Sequence, residues 1–195
     1  TTHQCVGADE AQVADAMAAT LAAHGHLTGL FANAGRGGTG AGFLDLTLEE
    51  WRDVMAVNLD GVFITLQAAA KVLVEQATGG SLVAVSSTSS IHGAANNEAY
   101  GTAKTGVNGL VRALAVGLAR YRIRVNSLVP GWTITELAAG GYANDTFRTA
   151  TIRRTPVRRW ADPAEFRAVG AFLADPTQTY HTGQEVCVDG GYTVF

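Results

Sequence analysis

The chain has 195 residues, of which 47% are apolar and 16% charged, with a net charge of −3 and a mean hydropathy of +0.12. Such a composition buries a sizeable core and excludes a disordered or low-complexity chain. The 14 basic residues are scattered, and the densest stretch, Arg153 to Arg159, is too short for a nucleic-acid surface.

No uninterrupted apolar run reaches the roughly 18 residues a membrane span needs, so no membrane partner is expected. Thr1 to Gln12 has neither a basic start nor an apolar stretch, so it does not read as a signal peptide. Cys5 and Cys187 stand alone and are expected to be buried as small hydrophobes, which suits a cytoplasmic protein. The five histidines have no metal-ligand spacing.

In chain order, Asp9 and Gln12 read as a capping box for a first helix, with a stripe of Val13, Met17 and Leu21 and a stop at His24-Gly25. Residues 27–33 form a short apolar strand. Thr47 and Glu50 cap a long helix whose stripe runs through Trp51, Met55, Leu59, Val62, Leu66, Ala70 and Leu73 to Gly79-Gly80. Asn58 and Gly61 are poor helix formers inside it and predict a local distortion. A second strand covers 81–85. A helix follows from Glu98 to Arg120 with Ala103, Val107, Leu110, Leu114 and Leu118 inward, and a third strand covers 124–129. Residues 130–160 read as irregular. Asp162, Pro163 and Glu165 start another helix with cap, first-turn proline and capping box together. Residues 185–189 form the last strand. Strands separated by helices of this length predict a parallel α/β sheet and one domain over 1–195.

Ligands of such sheets lie beyond the strand carboxyl ends. There the chain places Asn33-Ala34-Gly35, Ser86-Ser87 and Pro130-Gly131. Tyr100 and Lys104 follow the second of these at helical i,i+4 spacing, so the phenol and the ammonium share one face. A tyrosine is a poor acid–base group at neutral pH until a cation favours its phenolate. Bringing its pKa to about 7 requires roughly 4 kcal/mol, more than one lysine supplies. With five tyrosines and two lysines, a chance pair arises about one time in twenty, so the pair alone is a weak motif.

Its context is specific. Asn33-Ala34-Gly35, Asn58, Ser87 thirteen residues before Tyr100, the Tyr-x-x-x-Lys pair, Pro130-Gly131 and Val188 to Gly191 come in the order and spacing of the short-chain dehydrogenase/reductase family. The chain resembles its single-domain branch over essentially its whole length. The resemblance implies a doubly wound, Rossmann-like parallel sheet with helices on both faces. It implies an NAD- or NADP-dependent oxidoreductase interconverting a secondary alcohol and a ketone, with a small-molecule carbonyl or alcohol as partner and a homodimer or homotetramer built on helices 47–78 and 98–120. In that scheme Tyr100 gives or takes the proton on the substrate oxygen and Ser87 hydrogen-bonds that oxygen. Lys104 binds the nicotinamide ribose and Asn58 holds a proton-relaying water. Asn33, Ala34, Gly35, Tyr100, Lys104, Pro130, Gly131, Thr133 and Thr135 would contact the cofactor, and Ser87, Tyr100 and Trp132 the substrate.

Each residue also has a plainer reading. Ser86 or Ser89 competes with Ser87, Asn58 reads equally as a satisfied buried amide, and Trp132 as packing. His92 and Glu98 match no family role and read as loop residues near the substrate. Gly35, Gly37 and Gly40 satisfy a dinucleotide fingerprint, but the next helix waits until Thr47, so they are not expected to form a phosphate loop. The family's glycine-rich loop and its N-terminal strands are expected before residue 1, which leaves strand 27–33 as an edge. Ala32, Thr133 and His181 depart from the usual family residues without removing a catalytic group. Two further readings stay open: a binding or regulatory protein on the same scaffold, and a lyase or epimerase sharing Tyr-x-x-x-Lys.

Overall fold

A computed structural model describes residues 1–195. It contains helix α1 (Glu10–His24), strand β1 (Gly29–Ala32), helix α2 (Leu48–Met55), helix α3 (Gly61–Gln76), strand β2 (Gly80–Val85), helix α4 (Glu98–Leu118), strand β3 (Ile123–Pro130), helices α5 (Ala139–Ala143) and α6 (Asp145–Arg154), helix α7 (Arg167–Ala174) and strand β4 (Glu185–Val188). All four strands pair in parallel in the order β1-β2-β3-β4. This is the expected parallel α/β sheet with helices on both faces.

Period-two alternation decides which residues meet which layer. Leu82 and Ala84 of β2 join Ile123 and Val125 of β3 under α3 and α4, packing on Val62, Leu66, Ala69, Leu73, Val107, Val111 and Ala115. Val83 and Leu128 point the other way and pack on Leu173 of α7. The α4 stripe is rotated slightly from the expectation. Val111 and Ala115 are fully buried, while Leu110, Leu114 and Leu118 flank the core partly buried. β1 is an edge strand, as expected: it pairs with β2 alone, and Phe31 on its uncovered face is 41% exposed.

The distortion in the long helix is real. α2 and α3 are joined by a π-helical turn over Ala56–Asp60, where wider backbone spacing lets a side chain enter the ladder. The run Leu48–Gln76 spans 29 residues, with one window of mean hydropathy 1.4, long and apolar enough to cross a bilayer by composition; here its apolar stripe packs on the sheet. It ends at Gln76, three residues before the expected glycine stop. Ala77 takes the left-handed conformation (φ 55°), and its carbonyl accepts from Arg122 Nη2 at 2.6 Å. The Gln76 amide bonds both Leu27 N and Leu27 O, at 2.8 and 2.7 Å, tying the end of α3 to the start of β1.

Three further expectations are corrected. Asp9 caps Gln12 N, but the Gln12 side-chain Oε1 accepts from Val6 N, so the box is not reciprocal. The stretch 130–160 is not irregular throughout: it folds into α5 and α6, with Asn144 capping Phe147 N. Cys187 is exposed and Cys5 half-buried, so neither is a core hydrophobe; β4 is an edge strand and does not cover Cys187. By contrast, the Asp162/Glu165 capping box forms reciprocally, opening a 3₁₀ turn that runs into α7.

Candidate active site

The carboxyl ends of β1, β2 and β3 open into a cleft of about 660 Å3. Asn33, Ala34, Gly35, Ser87, Tyr100, Lys104, Pro130, Gly131, Trp132, Thr133 and Thr135 all line it. Turns scattered over a hundred residues of sequence thus converge because parallel strands end on one side of the sheet.

Asn58 is the exception. It is fully buried and does not line the cleft. Its Oδ1 accepts from Arg36 N at 3.2 Å, and its Nδ2 donates to Arg36 O at 2.9 Å and Val54 O at 3.0 Å. It is the satisfied buried amide, and it clamps the turn after β1 onto the π-helical segment. A Cβ on Gly35 would stand 3.0 Å from Asn58 Oδ1 and 3.6 Å from Lys104 Nζ, so this glycine lets the loop lie close to both.

The three serines separate by their partners. Ser86 is buried and its hydroxyl donates to Lys104 O at 3.1 Å, which fixes α4 to the end of β2. Ser87 lines the cleft, and its hydroxyl oxygen accepts from Ser89 N at 3.1 Å, leaving its own proton free to donate. Ser89 also reaches the cleft, while the Ser87 hydroxyl lowers the Tyr100 pKa.

Lys104 Nζ lies 5.6 Å from the Tyr100 ring centroid and donates to Val85 O at 2.9 Å. Burial pulls the ammonium down to about 8. Burial likewise pushes the Tyr100 phenol above its ordinary value, and the Ser87 hydroxyl only partly opposes this. In the protein alone burial is the largest influence on Tyr100, which stays a protonated phenol at neutral pH.

Pro130-Gly131 and Val188 to Gly191, far apart in sequence, form one joint. Gly131 N donates to Val188 O at 3.0 Å, and a Cβ on Gly131 would fall 2.6 Å from Asp189 Cα. Burial by itself would raise the Asp189 pKa, but hydrogen bonds from Thr193 and Gly191 hold the carboxyl below its usual range. Gly190 and Gly191 pack on Thr155 and Pro156, so this joint seats the segment that follows α6.

Trp132 combines both readings offered for it. It lines the cleft, and it stacks on Trp160 (5.0 Å, 25°) with Phe147 and Tyr192 against its edges. His92 and Glu98 are not on the cleft. His92 packs on Tyr192, and Glu98 accepts from Asn96 N, stabilising that residue's positive φ. Cleft residues not singled out from sequence include Asn97, Leu137, Ala138 and Phe166. Asn97 sits one turn before Tyr100, a spacing that signals a shared face; the others carry no chemical signature. The loop of Gly35, Gly37 and Gly40 contains no helix before α2.

The cleft suits the nicotinamide half of a dinucleotide. A buried ammonium beside the glycine turn offers donors to ribose hydroxyls, and the turns after β1 and β3 bring backbone to the cleft without side-chain bulk.

Residues 3–193 match the family model described as Enoyl-(Acyl carrier protein) reductase. The chain is 35% identical over 197 residues to Short-chain dehydrogenase reductase 3c of Arabidopsis thaliana, covering 98% of this chain and 75% of that protein. It is 37% identical to an L-rhamnose 1-dehydrogenase (NAD(P)(+)) of Sphingomonas, over 78% of this chain and 60% of that protein. Among solved structures, a gluconate 5-dehydrogenase from Burkholderia cenocepacia in complex with NADP and tartrate superposes with a TM-score of 0.92 at 31% identity, covering 97% of this chain and 74% of that one. The chain belongs to the short-chain dehydrogenase/reductase family of NAD(P)-dependent oxidoreductases acting on CH–OH groups.

Proposed function

We propose that this chain supplies the acid–base site of an NAD(P)-dependent interconversion of a secondary alcohol and a ketone. The observation that carries the reading is the convergence of Ser87, Tyr100 and Lys104 on one cleft, with Ser87 free to donate and Tyr100 protonated. NAD or NADP, when bound, supplies or takes up the hydride.

In the reducing direction the Tyr100 hydroxyl donates its proton to the substrate oxygen, and Ser87 Oγ donates a hydrogen bond to the same oxygen as charge develops there. In the oxidising direction Tyr100 must first release its proton, which the buried Lys104 ammonium favours. Lys104, Asn33, Ala34, Gly35, Pro130, Gly131, Thr133 and Thr135 would hold the nicotinamide riboside. Asn58 acts by positioning Arg36 and the turn before it. The segment Gly131 to Trp160 covers the substrate.

The same reading places the protein in the cytoplasm as a homodimer or homotetramer, without a membrane or nucleic-acid partner. Phe63 on α3 (44% exposed) and Val116 on α4 (82% exposed) supply apolar outer faces for such an interface.

Tyr100→Phe in the complete protein tests the proposal. Loss of the proton donor lowers turnover by about 10²- to 10⁴-fold with the unfolding midpoint unchanged. Turnover retained within threefold would overturn it.

A further inference from the structure

The cleft also limits what substrate it accepts, an inference that rests on the alcohol–ketone reading. Lys104 is the only cationic residue lining it, and no acidic residue lines it. Lys104 is 3% exposed, gives one donor to the Val85 carbonyl and, on the reading above, its others to the nicotinamide ribose. The nearby arginines are engaged elsewhere. Arg36 faces Asp53 at 3.8 Å, Arg148 bonds Asp145 and lies over Tyr142, and Arg154 lies over Tyr192. A carboxylate entering here would lose its hydration without gaining a free cation, which is strongly unfavourable.

The covering segment offers carbon instead. Trp132, Leu137 and Ala138 line the cleft from that side. The Trp132 indole is held by the Trp160 stack, and Trp160 is itself 3% exposed with its N–H on Thr151 Oγ1 at 2.9 Å. The Trp132 N–H is buried and has no hydrogen-bond partner, so the part of the ring reached from the cleft is carbon. A rigid aromatic wall favours a flat or cyclic apolar partner over a flexible, hydrated chain.

We propose that the site takes an uncharged cyclic ketone or secondary alcohol whose ring lies against Trp132, and that it discriminates against anionic sugar acids. The test uses the complete protein with NADH and NADPH. It compares kcat/KM for cyclohexanone, for 4-oxocyclohexanecarboxylate and for 5-ketogluconate. The neutral ring is expected to be favoured at least tenfold over both acids. Leu137→Arg, at a position 55% exposed, is expected to shift the ratio at least tenfold toward the carboxylated ring without loss of fold. Equal or better turnover of either acid by the wild type overturns the inference.

If no carbonyl is turned over, the redox reading itself fails. Equilibrium quenching of tryptophan fluorescence by the same two rings then decides the inference. Tighter binding of cyclohexanone supports it; tighter binding of the carboxylate, or no binding of either, overturns it.

Discussion

Replacing Asn58 by alanine separates a positioning role from a role in proton traffic. The amide makes three hydrogen bonds, to Arg36 N, Arg36 O and Val54 O, at 3.2, 2.9 and 3.0 Å, and its side chain is fully buried. Truncation leaves three backbone groups without their partner, at about 1 kcal/mol each. The total of about 3 kcal/mol corresponds to a fall of roughly 6–12 °C in Tm for a chain of this size. Because Arg36 adjoins Gly35, which lines the cleft, kcat/KM should fall together with Tm. Thermal unfolding by circular dichroism and steady-state kinetics on the same preparations give both numbers. A Tm lowered by less than about 2 °C would refute the positioning argument. Lost turnover with an unchanged Tm would return Asn58 to the relay role implied by the family resemblance.

Gly131→Ala forces a methyl to within 2.6 Å of Asp189 Cα. Overpacking at this joint should cost about 1–3 kcal/mol in urea unfolding and disturb the cleft as well. Arg124 is 6% exposed and donates to Leu173 O, Asp175 O and His181 O. Leu173 O keeps Ser81, Asp175 O keeps Gln178 N and His181 O keeps Asn126, so Arg124→Met orphans no carbonyl and should cost only about 1 kcal/mol by the same measurement.

The titration of Lys104 gives a pH prediction. Burial lowers its folded pKa from 10.5 to about 8, so between these values the unfolded chain binds more protons and stability rises with pH. The raised Tyr100 pKa acts oppositely above its ordinary 10. Without added nucleotide, wild-type Tm should therefore gain on that of Lys104→Met from about pH 8 to pH 10. A difference independent of pH would refute the shift.

Local rules made much of this protein legible. Thr47/Glu50 and Asp162/Glu165 announced helix starts because a cap needs partners only three residues away. Strand ends were legible because apolar runs stop where the sheet stops, and the order of Asn33, Ser87, Tyr100, Lys104 and Gly131 marked one side of it. The helices inside 130–160 were hidden: α6 is largely polar and its apolar contacts lie in other parts of the chain, so no amphipathic period marks it. Cys187 was expected in the core because an isolated cysteine usually packs as a small hydrophobe, and only the position of β4 at the sheet edge exposes it.

The sequence by itself determined the parallel α/β class, the distortion near Asn58 and the Tyr100–Lys104 pairing. All of these follow from spacing along one chain. The tertiary structure decided which serine remains free, that Asn58 is consumed by backbone partners, that Gly131 and Asp189 form one joint, and that burial raises the Tyr100 pKa. Those outcomes depend on which distant groups share a buried volume, because desolvation and hydrogen-bond competition arise only between residues that folding brings together.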